Sequence, residues 1–162
     1  MSAQESFYHL KAETIDGQKF DFSTLKGKKV MIVNTASKCG FTNQYKDLER
    51  LYQLYGGFKF TIIGFPSNDF MGQEPASNKE IKEFCSVNYN VTFPMMSKIE
   101  VKGKKIHPVY QWLTEKAHNG VTDSKVKWNF QKYLISETGQ LVRELEPKIP
   151  PMDTVVTNWL KS

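Results

Sequence analysis

The chain has 162 residues, 40% of them apolar and 13% aromatic, which is enough to build the core of one domain, expected over residues 1–162. Its formal charge of +5 comes almost wholly from scattered lysines, Arg50 and Arg143 being the only arginines, and no recognition motif accompanies them, so nucleic acid is not an expected partner. No apolar run approaches the roughly 18 residues of a membrane span. The start, MSAQESFYHL, has neither a basic region nor an apolar stretch of about 7–15 residues, which predicts a cytoplasmic protein with no secretory leader and no integral membrane association.

In chain order, Asp16-Gly17 lies between two short alternating segments, Tyr8 to Ile15 and Lys19 to Phe22, and predicts a β-hairpin. Val30 to Val33 is continuously apolar, as a strand covered on both faces should be. A small polar loop from Asn34 to Gly40 follows. From about Thr42 to Tyr55 the apolar residues Tyr45, Leu48, Leu51, Tyr52 and Tyr55 fall at three- and four-residue steps, predicting a helix stopped by Gly56-Gly57. Phe58 to Phe65 completes a βαβ unit with a right-handed crossover.

After a long loop, Pro66 to Ala76, Ser77 and Glu80 form a capping box at the start of a helix whose apolar stripe includes Ile81, Phe84 and Cys85. Met95 to Val101 is a third strand candidate. Pro108 suits the first turn of a helix with Val109, Trp112, Leu113 and Ala117 facing inward. Gln131 to Ile135 and Gln140 to Leu145 flank Glu137-Thr138-Gly139 as a second hairpin, and a last helix runs from Asp153, its N-cap, to about Leu160. This order predicts an α/β, thioredoxin-like fold: a central mixed β-sheet flanked by helices, with an N-terminal β-hairpin.

Cys39 and Cys85 are the only cysteines and form no CxxC pair, while His9, His107 and His118 have no zinc-ligand spacing. No disulfide framework, metal site or cofactor is expected. Cys39 falls just past the carboxyl end of a buried strand and just before a helix, the edge where open α/β sheets place their sites. Unpaired N–H groups and the positive helix end there would stabilise a thiolate, with Lys38 beside it as a further cation. Position alone leaves two readings open, a reactive thiolate and a buried apolar filler.

The segment NTASKCGFT resembles the active-site motif of glutathione peroxidases, in which a selenocysteine or cysteine is catalytic. FPSNDFMGQEP (residues 65–75), TFPMM (92–96) and WNFQKYL (128–134) follow in the order of that family, so the resemblance covers nearly the whole chain. It implies a catalytic set of Cys39, Gln73, Trp128 and Asn129. Amide and indole N–H groups are neutral donors that can point at a sulfur anion without titrating near neutrality. The implied activity is attack of Cys39 on hydrogen peroxide or an organic or lipid hydroperoxide, leaving a sulfenic acid.

Cys85 sits on the apolar face of its helix, where core packing is the first explanation. The segment EFCSVNYNVTFP nevertheless resembles the one that carries the resolving cysteine in the thioredoxin-dependent branch of the family, and the spacing from Cys39 fits that branch. By this resemblance Cys85 closes an intramolecular disulfide that thioredoxin reduces, with glutathione as the alternative. Because the two Cα atoms must come within roughly 7 Å, the region from Ile81 to Asn90 is expected to unwind first. Three positions depart from the pattern: Thr35, Ser67 and Asp69 stand where relatives often carry Val, Cys and Gln. The short loop before Trp128 implies a monomer with an open site. A disulfide oxidoreductase is disfavoured by the missing CxxC, whereas a peroxide sensor or relay that passes the disulfide to a partner protein shares every residue and stays open.

Overall fold

The structure, a computed structural model, describes residues 6–162. Residues 1–5, the beginning of the segment read for a leader and of the expected domain, lie outside the described residues. The hairpin forms from β1 (Lys11–Glu13) and β2 (Lys19–Asp21), paired antiparallel with Lys11 opposite Asp21. Gly17 makes its turn at φ +85°, a left-handed conformation that glycine adopts without steric cost. β2 ends at Asp21 because that side chain accepts from the Ser23 N–H and caps a turn of 3-10 helix, Phe22–Leu25.

β3 (Lys29–Thr35) and β4 (Phe60–Pro66) run parallel, joined by α1 (Gln44–Tyr55), and every residue of both strands is buried. β5 (Lys132–Ile135) pairs antiparallel with β3 on its other side, and β6 (Leu141–Leu145) with β5. The sheet order is β4-β3-β5-β6, a mixed sheet as the sequence predicts. Strand alternation sends Val30 and Ile32 into one apolar cluster with Phe65, Trp112 and Tyr133, and sends Met31 and Val33 into another with Tyr45, Leu48, Ile81 and Cys85. The second cluster is covered by α1, by α2 (Asn78–Tyr89) and by α5 (Thr154–Lys161), the first by α3 (Pro108–Thr114). Among the described residues, no helix is long and apolar enough to cross a membrane.

Three expectations need correction. Met95 to Val101 is not a strand: it makes isolated bridges only, Met96 to Thr14 and Met95 to Gly64. Its N–H and C=O groups divide between β4 and the hairpin, with Met96 N–H to Gly64 and Ser97 N–H to Glu13, so no ladder develops. A Cβ at Gly64 would stand 2.5 Å from the Met95 Sδ, so a larger residue there would displace the Met95 side chain. The helix expected from Thr42 starts instead at Gln44, after turns closed by Thr42 N–H to Cys39 and Gln44 N–H to Phe41. The helix from Pro108 breaks at Glu115 (φ −115°, ψ 117°), which places Ala117 in the separate short α4 (Lys116–Asn119).

Candidate active site

Cys39 lies in the loop between β3 and α1, half-buried against the second apolar cluster. The loop is braced from within. The Thr42 hydroxyl donates to the Ala36 carbonyl at 2.8 Å and accepts from the Cys39 N–H at 2.9 Å, so one side chain ties both ends of the segment. The Phe41 N–H donates to the Cys39 Sγ at 3.3 Å. The donor at the sulfur is thus a turn amide ahead of the helix, because the helix begins five positions after Cys39.

Gln73 reaches this loop from the connection between β4 and α2. Met71 (φ +57°) and Gly72 (φ +61°) are both left-handed and fold the chain back, so that the Gln73 carbonyl accepts from the Lys38 N–H at 3.0 Å. A non-glycine residue pays about 1–2 kcal/mol for that conformation, and Met71 recovers little by packing, being 81% exposed. The side-chain Oε1 of Gln73 accepts from Asn129 Nδ2 at 3.0 Å. Asn129 is fully buried, and its Oδ1 has no partner among the described residues. Trp128 precedes it, half-buried, its ring 5.5 Å from that of Phe70. Together with Phe41, Lys127, Glu146, Pro147 and Lys148, Trp128 lines a shallow groove.

The structure therefore gathers Gln73 and Asn129 into direct contact and ties Gln73 to the residue before Cys39. Cys85 stands apart. It is 2% exposed within α2, bordering the same apolar cluster as Cys39, and both thiols are free. Burial pushes the Cys85 thiol up to about 11; the nearby Tyr45 hydroxyl acts the other way, and the Glu74 charge adds to the rise.

Two polar residues that sequence reasoning did not single out belong to this region. Glu74 is fully buried, and the Ser37 hydroxyl lies 2.8 Å from each of its carboxylate oxygens. Burial raises its pKa above the ordinary carboxylate value. Asn34, also fully buried, binds the segment around Asn129. Both lie inside the quoted motifs; for Asn34 the available signal was a polar residue at the end of an apolar strand, and Glu74, in a loop, had none. Of the departures, Asp69 accepts from the Val101 N–H at 2.7 Å and anchors its loop, Ser67 is buried, and the Thr35 hydroxyl is buried without a partner among the described residues. No group of three or more His, Cys, Asp or Glu among the described residues could hold a metal ion.

The mixed four-stranded sheet flanked by helices is a thioredoxin-like fold. A thiol:disulfide interchange protein of the thioredoxin family from Chlorobium tepidum shares the fold, with TM-score 0.62 at 17% identity over 99% of each chain. A crystal structure described as Trgpx in apo form superposes with TM-score 0.74 at 36% identity, covering 97% of this chain and 96% of the other. The "Glutathione peroxidase-like peroxiredoxin gpx1" of Schizosaccharomyces pombe is 53% identical over 137 residues, 84% of this chain and 85% of its own. The family description "Glutathione peroxidase" matches residues 7–114. The chain belongs to the glutathione peroxidase family, and so to the peroxidase oxidoreductases.

Proposed function

We propose that residues 1–162 form one domain that works as a thiol peroxidase through Cys39, with Gln73, Trp128 and Asn129 as the donor set. The observation that carries this reading is the joining of Gln73 to both sides of the site, by its carbonyl to the Cys39 loop and by its amide to Asn129. Because Oε1 is occupied by Asn129, the Nε2 hydrogens of Gln73 are left for a sulfur anion or a peroxide oxygen. The Cys39 thiolate attacks the terminal oxygen of the hydroperoxide, the O–O bond breaks, and the leaving oxygen takes a proton and departs as water or an alcohol. Cys39 is left as the sulfenic acid.

The Cys85 thiol then loses its proton and its sulfur attacks the Cys39 sulfur; the S–O bond breaks, the hydroxide takes up a proton and leaves as water, and the Cys39–Cys85 disulfide is formed. Both cysteines border one apolar cluster, which favours this pairing, but Cys85 is buried in a helix and must be released by local unwinding of α2. Thioredoxin reduces the disulfide by thiol–disulfide exchange, with glutathione as the alternative reductant. The similarity to the S. pombe protein, a glutathione peroxidase-like peroxiredoxin by name, supports a thiol route. The groove beside Trp128, apolar at Phe41 and Pro147 with Lys127 and the Glu146–Lys148 ion pair as its polar lining, suits bulky organic and lipid hydroperoxides as well as hydrogen peroxide. We place the protein in the cytoplasm as a monomer.

Peroxide turnover with thioredoxin, thioredoxin reductase and NADPH tests the reading. Steady consumption that disappears in Cys39→Ser supports it. A single equivalent of oxidation without turnover points to a sensor that hands its disulfide to another protein. Mass spectrometry after peroxide treatment tests the resolving step: a sulfinic Cys39 with Cys85 still free overturns it.

A further inference from the structure

Asn34 makes three hydrogen bonds to one short segment of the far loop. Its side-chain Nδ2 donates to the Trp128 carbonyl at 3.1 Å, and its Oδ1 accepts from the Gln131 N–H at 3.1 Å. Its own carbonyl accepts from the Phe130 N–H at 2.6 Å. The regular pairing of β3 with β5 ends one position earlier, at Val33 opposite Lys132. A β5 continuing straight would keep Gln131 and the residues before it in backbone pairing with β3. The Asn34 side chain instead takes over the hydrogen bonds at that point and holds the segment bent.

The bend is visible in the backbone. Phe130 has φ +66°, a conformation that a bulky side chain rarely adopts and that persists only where the surroundings fix it. Two things fix it here. The Phe130 ring is buried edge-on to Tyr45, with centroids 5.3 Å apart, and Asn34 grips the chain on both sides of the residue. Asn129 lies between the gripped carbonyl of Trp128 and the gripped N–H of Phe130. From this held stretch its side chain reaches Gln73 Oε1. The same β3 strand runs on into the loop that carries Cys39, so one rigid element governs both halves of the site.

We propose that Asn34 is the positioning residue of this site, setting Trp128 and Asn129 relative to Cys39 by clamping residues 128–131 in the left-handed bend. Its consequence for the peroxide reaction rests on the peroxidase reading above, whereas the clamp itself does not. Asn34 touches neither the sulfur nor a substrate; it acts through the two donors. A buried amide with both its oxygen and its nitrogen satisfied is rigid in a way that an apolar residue of similar size cannot reproduce.

The test compares Asn34→Ala, which loses both side-chain bonds, with Asn34→Asp, which keeps the acceptor for Gln131 and drops the donor to Trp128. Two readouts are taken on the full chain: the Trp128 indole N–H resonance, assigned by its disappearance in Trp128→Phe, and the rate constant for Cys39 oxidation by hydrogen peroxide. Both variants should move the Trp128 resonance while leaving those of Trp112 and Trp159 in place. Asn34→Ala should slow oxidation by roughly 10- to 100-fold, the penalty of misplacing donors by about 1 Å, and Asn34→Asp should recover part of it. In a Trp128→Phe, Asn129→Ala background the Asn34 substitutions should add little. An unmoved resonance, an unchanged rate, or an undiminished loss in that background overturns the proposal. If Asn34→Ala does not fold, Asn34→Asp alone decides. Failure of wild type to react with peroxide removes the peroxidase reading, and the resonance shift still judges the clamp.

Discussion

Asn129 Nδ2 stands 3.0 Å from Gln73 Oε1, so the two amides form one unit joined through the Gln73 oxygen. A unit of this kind has a kinetic signature. Gln73→Ala removes the proposed donor outright, and Asn129→Ala frees Gln73 to turn away. Each is expected to slow Cys39 oxidation by about 100-fold, the scale of losing one preorganised donor. The double variant should be little slower than Gln73→Ala. Stopped-flow oxidation of the three variants measures this, and simple multiplication of the two losses contradicts a shared unit.

Cys85 should be inert until its helix opens. With its thiol pushed up to about 11 by burial, almost none of it is thiolate at neutral pH. In Cys39→Ser, alkylation of Cys85 by iodoacetamide at pH 8 is expected to be more than about tenfold slower than in the urea-unfolded chain. The linkage has a definite sign. Between the unfolded thiol value, about 8.5, and the folded value of about 11, the folded state holds the proton that the unfolded chain releases. Stability therefore falls as pH rises through that window, relative to Cys85→Ala. Equal alkylation rates folded and unfolded would show Cys85 already accessible.

The opening of α2 has a cap to break. The Ser77 hydroxyl accepts from the Glu80 N–H at 3.3 Å, and the Glu80 carboxylate accepts from the Ser77 N–H at 3.2 Å. Beyond the other end, the Thr92 N–H donates to Glu49 Oε1 at 2.7 Å and fastens the chain to α1. Ser77→Ala should weaken α2 by about 1 kcal/mol and raise the opened fraction roughly fivefold. Disulfide formation after peroxide treatment should then quicken by a similar factor while Cys39 oxidation keeps its rate. Quenched-flow trapping of the disulfide checks this. An unchanged closing rate in a measurably weaker helix means the cysteines meet without unwinding from that end.

Elements with a strong local signal were legible in the sequence. The capping box at Ser77 and Glu80, the apolar run through Val30 to Val33 and the N-cap at Asp153 each depend on side chains acting within a few residues. Met95 to Val101 has a strand's composition, yet its hydrogen bonds are split between β4 and the hairpin, a tertiary fact with no local trace. The helix start near Thr42 was misplaced because the Thr42 hydroxyl is spent on Ala36 and Cys39 rather than on a helix N-terminus. Cys39 and Gln73 were found through motif resemblance. Asn34 and Glu74 lay within those motifs but read as ordinary polar residues, since their partners are Trp128, Gln131 and Ser37 in other segments.

Lys132 offers a separate test, of stability against pH. It is fully buried on β5, where its ammonium donates to the Pro147 carbonyl at 2.9 Å and the Ile149 carbonyl at 2.6 Å. Burial pulls its pKa down to about 7. An unfolded lysine keeps its proton to about 10.4, so between those values the unfolded chain binds a proton that the folded one has released. Stability must rise with pH across that window, and below about pH 7, where both states are protonated, this contribution is flat. Lys132→Met removes the titration. The urea midpoint of wild type relative to Lys132→Met should therefore climb from pH 7 to pH 9.5 and stay level from pH 5 to pH 6.5. The carbonyl at Pro147 also accepts from Gln44 Nε2 at 2.7 Å, so the substitution leaves one tether on the groove wall beside Trp128. A difference in midpoints that does not change with pH would mean that Lys132 stays charged in the fold, its two carbonyl bonds outweighing its burial.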